Sequence, residues 1–245
     1  MERILRDVGL LTFDEPFKRL LTQGMVLKDG AVMSKSKGNV VDPDTMLQKV
    51  GADALRAYVM FVAPPEKEVE WSDAGLDGMF RWLARVWRVA DQWRDQAVAA
   101  GPMEVAALNA DERALRRKTH DTIRRVTADI DVRKQMNTAI SAMMELVNDL
   151  YLFTDAQKAS ATPQGAAVAR EAIEALVVLL SPFAPHTSEE LWELYGHADG
   201  LGAARWPTVD EDAATAEALV VPVQVNGKVR GRLSVRPDIT DAELE

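Results

Sequence analysis

Two lysines lie two positions apart in a short polar stretch. Residues 32–44 read VMSKSKGNVVDPD, in which Lys35 and Lys37 alternate with serines and precede Gly38. An extended backbone places both ammonium groups on one side of the chain, and backbone amides beside them offer further donors. Phosphoryl or nucleotidyl transfer requires such donors and positive charge. The stretch therefore predicts a phosphate-binding loop, although its glycine spacing is not that of a Walker loop. The structural alternative is a solvated surface loop.

The residues around the loop predict the elements that hold it. The Asp-Gly pair at 29–30 is a hairpin turn signal between two apolar runs, so the loop should leave directly from a β-strand. After the loop, Asp42 is a suitable helix cap and Pro43 a suitable first helical residue. Gly51 is expected to end this short helix, and residues 53–62 to form another.

The composition is that of a globular protein with at least one sizeable core. The chain has 245 residues, of which 47% are hydrophobic and 27% charged. No apolar run approaches the roughly 20 residues that cross a bilayer. Cysteine is absent, and the three histidines lie too far apart to suggest a metal site. A cytoplasmic protein without membrane attachment is expected. The net charge of −9 argues against a wholly basic surface, but a local basic face for RNA remains compatible with it.

From Ser72 to about Glu217 the periodicity is helical. Apolar residues recur at spacings of three and four, and Gly, Pro or polar stretches separate the stripes. The first stripe comprises Leu76, Met79, Phe80, Leu83, Val86, Trp87 and Ala90. The later stripes comprise Ile123, Val126 and Ile130; Met136, Ile140, Met143, Met144, Val147 and Leu150; and Ile173, Leu176, Val177 and Leu180. Such helices with short links predict an antiparallel bundle. A further helix is expected to start at His186 and Thr187.

The last part of the chain predicts a β-hairpin. Strand-like runs at 219–225 and 228–235 are joined by Asn-Gly at 226–227, the strongest two-residue hairpin signal. Thr240 and Glu243 form a capping box, which indicates the start of a helix. Because a hairpin and one helical turn cannot bury an apolar face, the beginning of a small, incomplete α/β domain is expected.

Two basic surfaces are candidates for RNA binding. One is a helix face from about Asp111, where arginines share one side, and the other is the hairpin, where basic residues alternate with apolar ones and predict a single basic face. Both patterns suit RNA phosphates. The candidate residues are Arg113, Arg117 and Arg124 on the helix, and Lys228, Arg230 and Arg232 in the hairpin. The alternative for the helix is a solvated face balanced by nearby acids.

Residues 32–36 resemble the KMSKS signature of class I aminoacyl-tRNA synthetases, and the flanking sequence resembles the leucyl-tRNA synthetase family. Near the loop, the resemblance is carried by DEPFKRLLTQGMVLKDGAVMSKSKGNVVDPD (14–44), GADALRAYVMFVAPPEKEVEWSDAGLDG (51–78) and RWLARVWR (81–88). Further on, it is carried by MNTAISAMMELVNDLY (136–151), SPFAPHTSEELWE (181–193) and VPVQVNGKVRG (221–231). The signature alone indicates class I, and the flanks favour the leucine enzyme over the valine, isoleucine and methionine enzymes.

The resemblance implies ATP-dependent activation of leucine and its attachment to tRNA(Leu). In this family the leucine carboxylate attacks the α-phosphorus of ATP, pyrophosphate leaves, and the adenylate esterifies the terminal adenosine of tRNA. Lys35 matches the second lysine of the signature and is the expected catalytic residue, stabilising charge on the departing phosphates. The expected ATP-binding residues are Met33, Ser34, Lys35, Ser36 and Lys37. Mg²⁺ is expected to accompany ATP, with no metal site in this chain.

The sequence departs from the family pattern in two respects. Val32 replaces the first lysine of the signature, and none of the three histidines lies in a HIGH-type context. The HIGH-type half, the nucleotide fold and the leucine pocket are therefore expected upstream. The chain alone should make no leucyl-adenylate, and a separate chain with the upstream fold is a potential partner. A fragment, a broken gene and a two-chain enzyme all remain compatible with the sequence.

The expected fold is mainly α. An antiparallel bundle of the class I anticodon-binding type is preceded by a small α/β segment with the lysine loop and followed by the start of a small α/β domain. The expected domains are 1–70, the end of a catalytic domain; 71–217, a tRNA-binding bundle; and 218–245, an incomplete C-terminal domain. The functional alternative is a non-catalytic tRNA-binding or synthetase-like accessory module.

Overall fold

The computed structural model describes residues 2–13, 17, 19–159, 162–215, 219–225 and 228–235. Its helices are α1 (Glu2–Asp7), α2 (Pro43–Phe61), α3 (Asp73–Val98), α4 (Ala110–Ala128), α5 (Met136–Ala159), α6 (Gly165–Leu180), α7 (Pro185–Leu194) and α8 (Glu211–Ala214). Its strands are β1 (Val26–Lys28), β2 (Ala31–Val32), β3 (Val69–Glu70), β4 (Leu219–Val225) and β5 (Lys228–Val235). The predicted mainly α fold class is confirmed. The predicted Asn-Gly turn at 226–227 and the helix start at Thr240 and Glu243 lie outside the described residues.

The lysine loop leaves from a three-stranded sheet with the order β2-β1-β3. β1 pairs antiparallel with β2, Lys28 lying opposite Ala31, and parallel with β3. Asp29 (φ 56°) and Gly30 (φ 70°) both have left-handed backbone conformations. A two-residue hairpin turn of type I′ requires this pair of conformations, because they match the twist of the flanking strands. The predicted hairpin before the loop is therefore confirmed.

Helix α2 begins as the sequence predicts and bends at Gly51. The Asp42 carboxylate accepts hydrogen bonds from Thr45 Oγ1 (2.8 Å) and Asp44 N (3.3 Å). Those hydrogen bonds, that from Thr45 first, hold the pKa of Asp42 below its ordinary value. Gly51 has φ 81° and ψ 166°, which interrupts the helical backbone. Since positive φ favours glycine, the predicted break between two short helices is confirmed.

Helices α3 to α6 enclose the core of the bundle, and α2 and α7 pack against it. The predicted stripes of the later helices supply buried side chains: Ile123, Val126, Ile140, Met143, Val147, Leu150, Ile173, Leu176, Val177 and Leu180. The predicted antiparallel bundle is confirmed. None of the helices within the described ranges is long and apolar enough to span a membrane.

The buried surface of α3 differs from the predicted stripe. Phe80 is 48% exposed and Trp87 36% exposed, and both line an apolar groove of about 480 Å³ between α2, α3 and α7. Trp82 and Trp93 are buried, and Trp93 Nε1 donates to Thr154 Oγ1 on α5 (2.8 Å). The difference arises because the buried face of α3 is centred on residues such as Met79, Val86 and Trp93, so that Phe80 and Trp87 lie at its edge.

Ion pairs join α4 to α5 at the protein surface. Glu145 accepts hydrogen bonds from Arg125 Nη1 (2.8 Å) and Lys118 Nζ (2.6 Å). These contacts, that from Arg125 first, lower the pKa of Glu145 to about 2. The Glu145 side chain is 47% exposed, so solvent screens both pairs, and each contributes about 1 kcal/mol or less to stability.

A buried carboxylate connects α2 to the beginning of α7. Asp53 is 8% exposed, and it accepts hydrogen bonds from Thr187 N (2.6 Å), Thr187 Oγ1 (2.7 Å) and His186 Nδ1 (2.8 Å). Ala184, directly before α7, supplies no side-chain cap, so Asp53 satisfies first-turn donors that would otherwise lack a partner. The predicted helix start at His186 and Thr187 is confirmed.

Candidate functional site

The lysine stretch folds as a helical turn. Lys35–Lys37 form one turn of 3₁₀ helix, with Ser34 extended before it (φ −153°) and Gly38 left-handed after it (φ 67°). Gly38 N donates a hydrogen bond to Lys35 O (3.3 Å). The extended backbone expected from the alternation of lysine and serine is therefore wrong, because the positive φ of Gly38 allows the chain to close a turn.

This turn changes the arrangement of the two lysines. A 3₁₀ helix advances about 120° per residue, so side chains two positions apart diverge instead of lying on one side. Lys35 and Lys37 are both exposed, and neither pairs with an acid in the part of the chain that the structure describes. Each ammonium group is available to an anion, but the two would contact different parts of a ligand.

The other predicted ATP-binding residues belong to the same turn. The hydroxyl groups of Ser34 and Ser36 lie 2.7 Å apart and share a hydrogen bond. Met33 is half-buried and connects β2 to the turn. Val32, in the position of the first signature lysine, lies on β2 and is 41% exposed. The predicted residues thus form one continuous segment that leaves the sheet.

Asn39, which the sequence analysis did not select, anchors this segment. Its side chain is buried. Asn39 Oδ1 accepts a hydrogen bond from Ser34 N (2.9 Å), and Nδ2 lies within hydrogen-bond distance of the carbonyl oxygens of Lys28 (3.1 Å) and Ala31 (3.3 Å). The available sequence signal is a polar residue directly after Gly38 and before two valines. That signal does not identify the bonding partners.

The three predicted arginines of α4 have different surroundings. Arg113 is exposed and donates a hydrogen bond to the carbonyl of Leu108. Arg124 pairs with Glu211 of α8. Arg117 lines a cavity of about 410 Å³ between α4 and α5. Their spacing keeps the three residues on one side of the helix, although the acid of α8 partly offsets the charge at Arg124.

The segment that follows α7 is fixed across α4. Arg116 Nη2 donates to Asp210 Oδ2 (2.6 Å), and Asp210 N donates to His120 Nδ1 (3.2 Å). Trp206 Nε1 donates to Thr127 Oγ1 (2.8 Å). The hydrogen bond from Arg116 is the main cause of a lowered pKa at Asp210. Part of the positive charge on α4 therefore has a structural role.

The hairpin of β4 and β5 contains a one-residue register shift of the kind that a β-bulge makes. The register pairs Lys228 with Val225 and Arg232 with Pro222. The single basic face that the sequence predicts for this hairpin stays a prediction. Arg230 is exposed.

The described carboxylates do not fit a Mg²⁺ site. Among the residues that the structure describes, no group of three or more His, Asp or Glu side chains could hold a metal ion. Asp42, which follows the lysine turn, is already used as the cap of α2. The Mg²⁺ implied by the resemblance is therefore assigned no ligand among the described residues.

Two family models match the chain. The model of the anticodon-binding domain of tRNA ligase matches residues 112–245, which include most of α4 and the hairpin. The model of class I tRNA synthetases (I, L, M and V) matches residues 6–72, which include the lysine turn and Asn39. Both candidate surfaces thus lie in matched regions.

Curated relatives and a solved structure match almost the whole chain. The leucine–tRNA ligases of Geotalea uraniireducens and Geotalea daltonii are 52% and 49% identical over 243 residues, which are 99% of this chain and 29% of each relative. The crystal structure of the Agrobacterium radiobacter LeuRS–tRNA–LeuAMS complex matches with a TM-score of 0.81 and 36% identity, over 98% of this chain and 30% of that one. The chain therefore belongs to the leucine–tRNA ligase family of class I tRNA synthetases and corresponds to its C-terminal region.

Proposed function

We propose that this chain is the part of a leucine–tRNA ligase that stabilises the phosphates of ATP and binds tRNA(Leu). The observation that carries the proposal is the exposed Lys35 ammonium group on a turn that buried Asn39 anchors to the sheet. Relatives that match 99% of the chain are leucine–tRNA ligases. A solvated surface loop needs no buried anchor, so these observations favour a binding loop.

In the proposed reaction, Lys35 acts on the leaving group. The leucine carboxylate attacks the α-phosphorus of ATP, the bond to pyrophosphate breaks, and negative charge grows on the departing pyrophosphate. An ammonium group at that position stabilises the transition state more than the ground state. Lys37, Ser34 and Ser36 donate to other phosphate oxygens. ATP is a substrate, and Mg²⁺ bound to it would neutralise part of the phosphate charge.

The bundle and the hairpin supply the tRNA contacts in this proposal. The matched LeuRS structure is a complex with tRNA. The proposed contacts are Arg113, Arg117 and Arg124 on α4, and Lys228, Arg230 and Arg232 on β5. In this proposal the basic residues that alternate along β5 contact tRNA phosphates.

In this proposal three parts of the chain have different functions. Residues 1–70 supply the lysine turn, 71–217 the tRNA-binding bundle, and 218–245 a further α/β contact. The chain spans 29% of the length of its curated relatives. The leucine pocket and the HIGH-type half belong to the remaining length, either in the same polypeptide or in a separate chain. The proposal places this activity in the cytoplasm.

Leucine attachment is expected when this chain is mixed with the part of the Geotalea uraniireducens enzyme that precedes the matched region. The mixture should form leucyl-tRNA(Leu), measured with labelled leucine, and each chain alone should not, because the two halves of the ATP site lie on different chains. Activity that requires both chains supports the proposal. No activity at any ratio, with tRNA binding retained, would favour the accessory-module alternative.

Neutralising the hairpin is expected to weaken tRNA(Leu) binding in a salt-dependent way. The triple variant carries glutamine in place of Lys228, Arg230 and Arg232. Each lost phosphate contact reduces the magnitude of the slope of log binding constant against log salt concentration by about 0.7–0.9. For three contacts the magnitude should therefore decrease by about 2–3. Fluorescence anisotropy across a salt series measures it. The matched control changes three exposed cations elsewhere to glutamine, at Arg81, Arg88 and Lys158. Equal slopes for both triple variants would remove the hairpin from the interface.

A further inference from the structure

The side chain of Asn39 connects both ends of the lysine turn to the β1–β2 hairpin that precedes it. Oδ1 accepts from Ser34 N (2.9 Å), where the turn begins. Nδ2 lies 3.1 Å from Lys28 O, 3.3 Å from Ala31 O and 3.4 Å from Val32 O, all of which belong to the β1–β2 hairpin. Asn39 itself directly follows Gly38, where the turn ends. One buried amide thus closes residues 34–39 into a loop against the sheet.

We infer that Asn39 is a positioning residue that sets the direction of the Lys35 side chain by fixing the backbone of its turn. This inference rests on the proposed function, because it assigns Lys35 the phosphate contact. The lysine side chain stays exposed and free to move towards a ligand, whereas the backbone from which it projects is held at both ends. Catalytic groups need such support from hydrogen-bonded neighbours to reach a productive geometry.

The chemistry of the contacts selects asparagine. The site offers one N–H donor, from Ser34, and three carbonyl acceptors, from Lys28, Ala31 and Val32. An amide has an acceptor oxygen and two N–H donors and can meet both requirements at once. An ionised aspartate has acceptors only, and at this buried position it would place a charge against three carbonyl oxygens. Alanine would leave Ser34 N without its partner.

The first test measures the turn in this chain alone, by amide hydrogen exchange. In Asn39→Ala, exchange at Ser34 and through residues 35–38 should become at least about tenfold faster, because the hydrogen bond to Oδ1 is lost. Exchange in the bundle core, at Leu150 for example, should not change. Gln48→Glu, at an exposed position of α2, is the control for a change of polar side chain near the turn. Unchanged exchange at Ser34 in Asn39→Ala would overturn the inference.

The second test is a double-mutant cycle with Lys35. It uses the two-chain enzyme, which is the mixture of this chain with the upstream part of the Geotalea uraniireducens enzyme. Asn39→Ala should lower kcat/KM for ATP in leucine-dependent pyrophosphate exchange by about tenfold and leave KM for leucine unchanged. In the Lys35→Ala background it should have almost no further effect, since it acts through Lys35. Asn39→Asp should be at least as impaired as Asn39→Ala.

The outcomes separate this inference from the proposed function. An equal loss with and without Lys35 would show a merely structural residue and overturn the inference, while the function of Lys35 would stand. No activity of the unmodified pair would overturn the proposed function and, with it, the positioning role. Faster exchange at Ser34 together with a loss that disappears in the Lys35→Ala background supports the inference.

Discussion

Alanine in place of Lys35 is expected to lower the rate of leucine-dependent pyrophosphate exchange by about 10²–10³-fold in the two-chain enzyme. This is the usual loss of rate when one hydrogen-bond donor to a developing negative charge is removed. The Lys35 ammonium group is exposed and unpaired with any acid among the described residues, so the folded protein loses no contact of its own. The loss should therefore appear in catalysis rather than in stability. Steady-state pyrophosphate exchange measures the effect on catalysis, and denaturation of the same variant measures the effect on stability.

Three further variants make this result specific. Lys37→Ala should cost less, because its side chain projects about 120° away from that of Lys35 in the 3₁₀ turn. Lys35→Arg keeps the charge in a different shape and should recover part of the rate. Lys158→Ala, at the exposed end of α5, should have no effect. A rate for Lys35→Ala within about threefold of the unmodified pair would contradict its assignment as the transition-state contact.

Alanine in place of Asp53 is expected to lower the free energy of unfolding by about 2–3 kcal/mol. The carboxylate is buried and accepts hydrogen bonds from Thr187 and His186 at the start of α7. Its removal leaves those donors without a partner and weakens the link between α2 and the bundle. Urea denaturation followed by circular dichroism measures the change. Asp199→Ala, at an exposed position after α7, should stay within about 0.5 kcal/mol of the unmodified chain.

The same carboxylate predicts a dependence of stability on pH. Burial raises the pKa of Asp53, but the hydrogen bonds from Thr187 and His186 outweigh it, so its pKa lies below the ordinary value. A carboxyl whose pKa is lowered on folding stabilises the protein above its unfolded pKa, and that stability is lost as the pH falls through the folded pKa. The difference in stability between the unmodified chain and Asp53→Ala should therefore shrink on acidification below the ordinary aspartate pKa. A stability difference that does not change with pH would show that the charge of the Asp53 carboxylate does not stabilise the fold.

The sequence by itself determined the local structure around the site. The Asp-Gly pair at 29–30 specifies a turn that needs two positive φ angles, Asp42 and Pro43 specify a helix start, and Gly51 specifies a break. Apart from Phe80 and Trp87 on α3, the stripes of the bundle predicted residues that pack in its core, since spacing along a helix decides which residues share a face. The resemblance of the lysine stretch identified the family that the comparisons show.

Only the tertiary structure decided which partners the polar side chains have. Asp53 bonds to Thr187, 134 positions away, and Arg116 bonds to Asp210, 94 positions away. Asn39 finds its carbonyl partners only because the hairpin and the turn fold against each other. The register shift in the hairpin likewise depends on how two strands pair. Spacing fixes the backbone within one element, whereas a hydrogen-bond partner is fixed by the packing of elements that are distant in the sequence.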